Sequence, residues 1–223
     1  MDAFTDPDAV ARYAERPPQM VPGFNDLQRM CTQLLAESAP ADARVLVLGA
    51  GGGLELRAFA IAHPQWRLDG VDPSAEMLAL ARRTLGEHAP RATLHHGRIE
   101  VAPDGPFDAA ACLLTLHFVP ADARLPTLRG LHRRLRAGAP LVVAHMSFDQ
   151  DDAARERWLA RYARFAISSG IAPAQAQRGR AAVAEHLHVL APAQEEALLR
   201  EAGFSHIETF YQGLAFRGWL ARA

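Results

Sequence analysis

The chain has 223 residues, no lysine among its 24 basic side chains, 25 acidic residues and a net charge of −1. That length suits one α/β domain with a full core, and the absence of a global basic field gives no reason to expect DNA as a partner. The missing lysine excludes a Walker-type phosphate loop, a Tyr-x-x-x-Lys dehydrogenase site and a lysine Schiff base. Cys31 and Cys112 form no C-x-x-C, so a reducing, cytoplasmic setting is expected. The acidic MDAFTDPDAV start does not read as a secretory leader. No apolar run approaches the ~18 residues of a membrane span.

In chain order, Asp8 to Arg16 reads as a weak helix stopped by Pro17-Pro18. Asn25 is the expected N-cap of a helix carrying Leu27, Met30, Cys31, Leu34 and Leu35 through Glu37. Residues 1–43 thus form a cap. Arg44 to Leu48 is apolar throughout its last four positions, as in a strand buried on both faces. A glycine-rich turn and a helix over Leu54–Ala62 follow. A second strand, Trp66 to Val71, ends at Asp72, with a helix starting at Pro73-Ser74. Further strands are expected at Ala92–His96, Phe107–Leu114 and Leu141–His145, with a helix from Ala121 to Arg136 between the last two.

Strands and helices alternate over 44–147, which predicts a doubly wound, mostly parallel, Rossmann-like sheet. The alternation stops at 148–190. Helices over Asp149–Ser168 and Ala174–Leu190 form an insertion whose aromatic side, Trp158, Tyr162 and Phe165, is available for a second copy in a homodimer. Residues 191–223 hold a helix over Pro192–Ala202 and two closing strands, Phe204–Tyr211 and Leu214–Leu220, completing seven strands in one domain.

The turn Gly49-Ala50-Gly51-Gly52-Gly53 carries the chemistry. Its glycines tolerate positive φ and let a cofactor approach the backbone at a helix start. The dinucleotide pattern G-x-G-x-x-G fails at Leu54, which leaves a NAD-dependent oxidoreductase as the poorer reading. G-x-G-x-G is the form of the S-adenosylmethionine (SAM) motif. VLVLGAGGG, GVDPSAEML, FDAAACLLTLHF, LRAGAPLVVAH and LLREAGF occur in the order seen in class I SAM-dependent methyltransferases, which the whole chain resembles. The resemblance implies SAM as cofactor. It places Gly49, Ala50 and Gly51 against the amino-acid end and Asp72 on the ribose hydroxyls. Pro73, Ile99 and Leu113 fall elsewhere on the cofactor-binding surface.

VPGF, RLRAGAPLVV, RGR and AGF…FYQGLAFRGWLA also look like the bacterial tRNA-uridine carboxymethyltransferases that use carboxy-SAM. On that match Phe24 stands where the family has a cofactor-contacting Tyr. Arg180 stands where it has an Arg for the extra carboxylate, a task suited to a bidentate fork. Two departures from the methyltransferase pattern stand out. Val47 occupies the usual acidic position two before the first glycine. Arg98 occupies the usual Asp that accepts from the adenine amino group, and an arginine can only donate.

His117 after the fourth strand and His145 at the end of the fifth are candidate general bases, by their pKa range and their place near the switch region. A sulfonium leaving group needs little more than in-line positioning, so a base is not obligatory. His95 and His96 point to opposite faces of a strand and cannot chelate together. His186 and His188 lack i,i+4 spacing, so no metal is expected. Asp69 reads as a solvated strand residue. Arg155, Arg157, Arg161 and Arg164 form a basic helix side suited either to RNA phosphates or to water. The expected activity is methyl transfer to a small-molecule or RNA acceptor. Carboxymethyl transfer from carboxy-SAM to a tRNA wobble uridine and non-catalytic SAM binding are the alternatives.

Overall fold

The computed structural model describes residues 13–223. Its helices are α1 (Arg16–Met20), α2 (Phe24–Ala36), α3 (Leu54–Ala62), α4 (Ala75–Leu85), α5 (Ala121–His132), α6 (Asp152–Ser168), α7 (Pro173–His186) and α8 (Pro192–Glu201). Its strands are β1 (Arg44–Leu48), β2 (Arg67–Asp72), β3 (Ala92–His96), β4 (Ala109–Leu113), β5 (Pro140–Met146), β6 (Ser205–Gly213) and β7 (Phe216–Arg222). They form one sheet in the order β3-β2-β1-β4-β5-β7-β6. β1 to β5 run parallel, and β7 is antiparallel to both neighbours. The strand order reverses between β1 and β4, and the crevice at such a reversal is where doubly wound sheets bind ligands.

Alternate residues of β1 feed two cores. Val45 and Val47 pack with α2 and α3 through Leu35, Leu56 and Phe59. Leu46 and Leu48 pack with α5 and α8 through Leu128, Leu131 and Leu199. Full burial of each such side chain contributes roughly 1.5–3 kcal/mol, and this fixes which strand ends meet at the crevice.

Pro17 and Pro18 open α1 rather than closing a helix, because the first turn needs no amide donors; Asp8 to Arg12 of the expected first helix lie outside the described residues. Gly23, in the left-handed region, precedes α2 in place of Asn25. The expected helices of the insertion are shifted: the first starts later, at Asp152 behind the capping carboxylate of Asp151, and the second starts at Pro173.

On the aromatic side of α6, Trp158 and Tyr162 pack within the chain. Trp158 lies 6.4 Å from Phe148, and Tyr162 lies 6.4 Å from Phe216. The guanidiniums of Arg161 and Arg217 cover the Trp158 ring at 4.4 and 5.3 Å. Asp69 is not solvated. It is buried, accepting from Arg44 Nε, and lies 2.8 Å from His95 Nε2. No helix among the described residues is long and apolar enough to cross a membrane.

Candidate cofactor and active site

β1 ends in a turn that only glycine can make. Gly49, Gly51 and Gly53 have φ of 75°, 47° and 80°, a region costly for residues with a Cβ. Packing adds a second constraint. A Cβ on Gly49 would lie 1.9 Å from Thr115 Oγ1, and one on Gly53 would lie 2.8 Å from the Ala81 Cα on α4. The turn therefore holds α3 and α4 together and admits the loop after β4.

The amides of this turn are largely spoken for. Gly49 and Ala50 both donate to the Val71 carbonyl, and Gly53 donates to Ala50. Gly51 donates to Asp72 Oδ2 at 2.9 Å. The turn thus offers a ligand a bare backbone surface more than a set of free donors.

Asp72 ends β2 beside that surface. Its Oδ1 accepts from the Ser74 amide at 2.9 Å, so both oxygens are oriented by backbone donors. Each carboxylate oxygen has a second lone pair, and these remain suited to vicinal hydroxyls. Burial pushes the Asp72 carboxyl up, and the Ser74 and Gly51 amides oppose that rise. Ser74, not Asp72, caps α4, accepting from Met77.

The neighbouring expected residues lie along the same strand ends. The Pro73 carbonyl meets His96 Nε2 at 3.0 Å, and the Gly97 amide donates to the Asp72 carbonyl. Arg98 follows, exposed, and Ile99 is buried behind it. Leu113 is buried at the end of β4, its carbonyl accepting from Thr115 Oγ1 at 2.8 Å. Phe24 is buried at the start of α2, in the core that holds Val47 and Leu56. Arg180 stands on α7, apart from the glycine turn in sequence, and is bound to Gln177 and to Glu156 of α6.

His117 and His145 sit deep, with 5% and 1% of their surface exposed. His117 Nδ1 accepts from the Met146 amide at 3.2 Å. The neutral ring then carries its proton on Nε2, which leaves no free lone pair for a substrate. Burial, then His145 and Arg124, hold the His117 imidazole well below its usual range. His145 Nε2 lies 3.0 Å from Glu195 Oε1 without the alignment of a hydrogen bond, and the ring sits beside Trp219. Among the described residues no group of three His, Cys, Asp or Glu is arranged to hold a metal.

Two residues escaped the sequence reading. Thr115 lies against Gly49 and was hidden in a stretch noted only for His117. Glu55 stands in the first turn of α3 and is 5% exposed. Its signal was present: it is the one acid in the otherwise apolar LELRAFAIA segment apart from Arg57.

The geometry fits an adenosine ligand with an amino-acid tail: a carboxylate at the end of β2, a bare glycine turn at the switch point and a buried acid at the helix start. Comparisons with known proteins bear on the fold and the cofactor class. Residues 45–138 match the methyltransferase domain family. A carboxy-S-adenosyl-L-methionine synthase of Chromohalobacter salexigens is 29% identical over 97% of this chain and 82% of its own length. One of Methylococcus capsulatus is 27% identical over 90% and 85%. Among solved structures, an O-methyltransferase family protein of Burkholderia thailandensis superposes with a TM-score of 0.70 at 16% identity, over 98% of this chain. PigF with SAH gives 0.69 at 18%, over 99%. The chain spans 61% of each of those two structures, and they carry the fold alone. Over residues 45–138 the chain carries the methyltransferase-domain pattern, and over nearly its whole length it is similar to SAM-using carboxy-SAM synthases.

Proposed function

We propose that this protein binds SAM between the Gly49–Gly53 turn and Asp72 and catalyses group transfer from it to a small acceptor. The observation that carries the reading is the Asp72 carboxylate, held at the switch point by the amides of Gly51 and Ser74. Bound SAM supplies a carbon activated by its sulfonium leaving group. The chain's own part is to bind and orient. Asp72 accepts from the ribose hydroxyls, Gly49 and Gly51 allow close approach of the amino-acid tail, and Thr115 and Leu113 border the acceptor side. With His117 engaged to Met146, no base is assigned, and in-line positioning supplies the acceleration.

The test is calorimetric titration with SAM, S-adenosylhomocysteine, carboxy-SAM and NAD. SAM binding that is weakened in Asp72→Ala supports the reading. Binding of NAD alone, or of none of them, removes it.

A second reading, in which the protein makes carboxy-SAM, is favoured by one observation: the carboxy-SAM synthases it resembles match along nearly its whole length. Arg180 is the residue to test. It must leave Glu156 to meet a carboxylate on the cofactor. Mass spectrometry of nucleotides co-purified with the parent protein and with Arg180→Ala separates the readings. Carboxy-SAM retained by the parent and lost in the variant favours a carboxy-SAM site, whether the protein makes that cofactor or transfers from it. The arginines proposed for RNA are partly engaged elsewhere: Arg155 donates to the Ala184 carbonyl and Arg161 covers Trp158.

A further inference from the structure

We propose that Glu55 binds the α-ammonium of the cofactor's amino-acid tail, replacing the acid that this chain lacks at Val47. The proposal rests on the SAM-binding reading and adds to it a residue that decides how the tail is held.

Position 47 is closed to the task. Val47 is 1% exposed and packs into the core with Leu56 and Phe59. Glu55 lies six residues past Gly49, on the first turn of the helix that the glycine turn launches. Its carboxyl is buried, and no side chain among the described residues hydrogen-bonds or pairs with it. Its own backbone amide is the one donor that opposes its rise in pKa. Among the described residues, Asp72 at the end of β2 acts on its charge, and Cys31 on α2 and Cys112 on β4 feel it. None is a cation. Glu55 stands two residues past Gly53, and Asp72 and Cys112 lie on β2 and β4, the two strands that flank β1.

A buried carboxyl with no cation beside it is costly to keep charged. Burial, with Asp72 adding, pushes it up to about 7. The N-terminus of α3 favours the anion there but does not supply a full charge. Such a group is half-charged near neutral pH and awaits a positive partner. The cofactor brings two cations, and only the ammonium has N–H donors to give a carboxylate. Asp72 is a poorer match for the ammonium, because its oxygens are already oriented by Gly51 and Ser74.

The experiment compares three ligands on the parent protein and on Glu55→Gln, a change of equal size that removes the charge. SAM has the ammonium and the sulfonium, S-adenosylhomocysteine the ammonium alone, and 5′-methylthioadenosine neither. Glu55→Gln is expected to weaken SAM and S-adenosylhomocysteine alike by about 10- to 100-fold and to leave 5′-methylthioadenosine unchanged. In the parent, SAM affinity is expected to rise between pH 6 and 7 with release of a proton on binding. It then falls above about 8 as the α-amino group loses its proton. The rising limb is absent in Glu55→Gln. If it persists there, Asp72 is the group that titrates and the proposal fails. SAM affinity within twofold of the parent also overturns it. So does loss confined to SAM, which would point to the sulfonium, or equal loss of all three ligands, which would make Glu55 a support of the turn. A parent protein that binds none of the three fails at the SAM-binding reading instead.

Discussion

Arg124 on α5 and Glu195 on α8 form an ion pair shut off from solvent, with 0% and 2% of their side chains exposed. The same guanidinium donates to the carbonyls of Leu116, Val119 and His188. It thereby ties the loop after β4 to the segment between α7 and α8. Removing one partner leaves an uncompensated buried charge, which costs about 3–5 kcal/mol. Arg124→Met is expected to lose that much stability in urea denaturation. Arg124→Met with Glu195→Leu is expected to regain the part due to the unpaired Glu195 charge, while the carbonyls of Leu116, Val119 and His188 stay without that donor. A single variant that loses less than about 1 kcal/mol would mean that the pair does not hold this face closed.

Asp72 serves the turn as well as the ligand, so its variants separate the two roles. Asp72→Asn keeps one acceptor oxygen but removes the charge and the second acceptor. Its SAM affinity is expected to drop by about 10-fold, and Asp72→Ala by up to about 100-fold. Asp72→Ala is also expected to lower the thermal midpoint, since the Gly51 and Ser74 amides lose their acceptors. Unchanged SAM affinity in Asp72→Ala would end the ribose assignment.

The strand and helix order was legible because each element carries its own period. β1, β3 and α3 fall on the expected residues, since the apolar runs there are bounded by glycine, proline or charge. The β2-end acid was legible too, from its place after the second strand. What the pattern hid were long-range polar pairings. Asp69 meets Arg44 across 25 positions and His95 across 26, so local sequence gives no hint of its burial. The aromatic side of α6 looked unpartnered because its partners, Phe148 and Phe216, lie outside the helix. Glu55 passed unmarked because it stands in a first turn, which is where helices favour an acid. Only three-dimensional packing distinguishes a buried acid from a solvated one there.

Gly49 is constrained twice, by its φ of 75° and by Thr115. Gly49→Ala is expected to destabilise the protein by at least about 1 kcal/mol and to reduce SAM binding, because the Thr115 side chain must swing towards the ligand. Adding Thr115→Ala removes the clash but not the φ strain. The double variant is therefore expected to recover binding more fully than stability, as read by calorimetry and by thermal melting on the same samples. Recovery of neither would show that backbone strain alone closes the site.

Glu55 makes a prediction about stability that opposes its prediction about binding. Its folded pKa of about 7 lies above the ordinary glutamate value of 4.5. The group's stabilising contribution, held in the neutral form, is therefore fully present below about 4.5 and is lost as pH rises through about 7. That rise corresponds to about 3 kcal/mol at pH 8. Glutamine stays neutral throughout. The ligand-free Glu55→Gln protein is thus expected to be more stable than the parent at pH 8, with the advantage shrinking towards pH 5. Saturating SAM is expected to narrow or reverse the order at pH 8, because the parent gains more from binding the cation. Melting curves at pH 5, 6, 7 and 8, with and without SAM, read both effects. An advantage for the variant that is equal at pH 5 and 8 would mean that Glu55 does not titrate in this interval, and the carboxyl would then lack the half-charged state that the ammonium site requires.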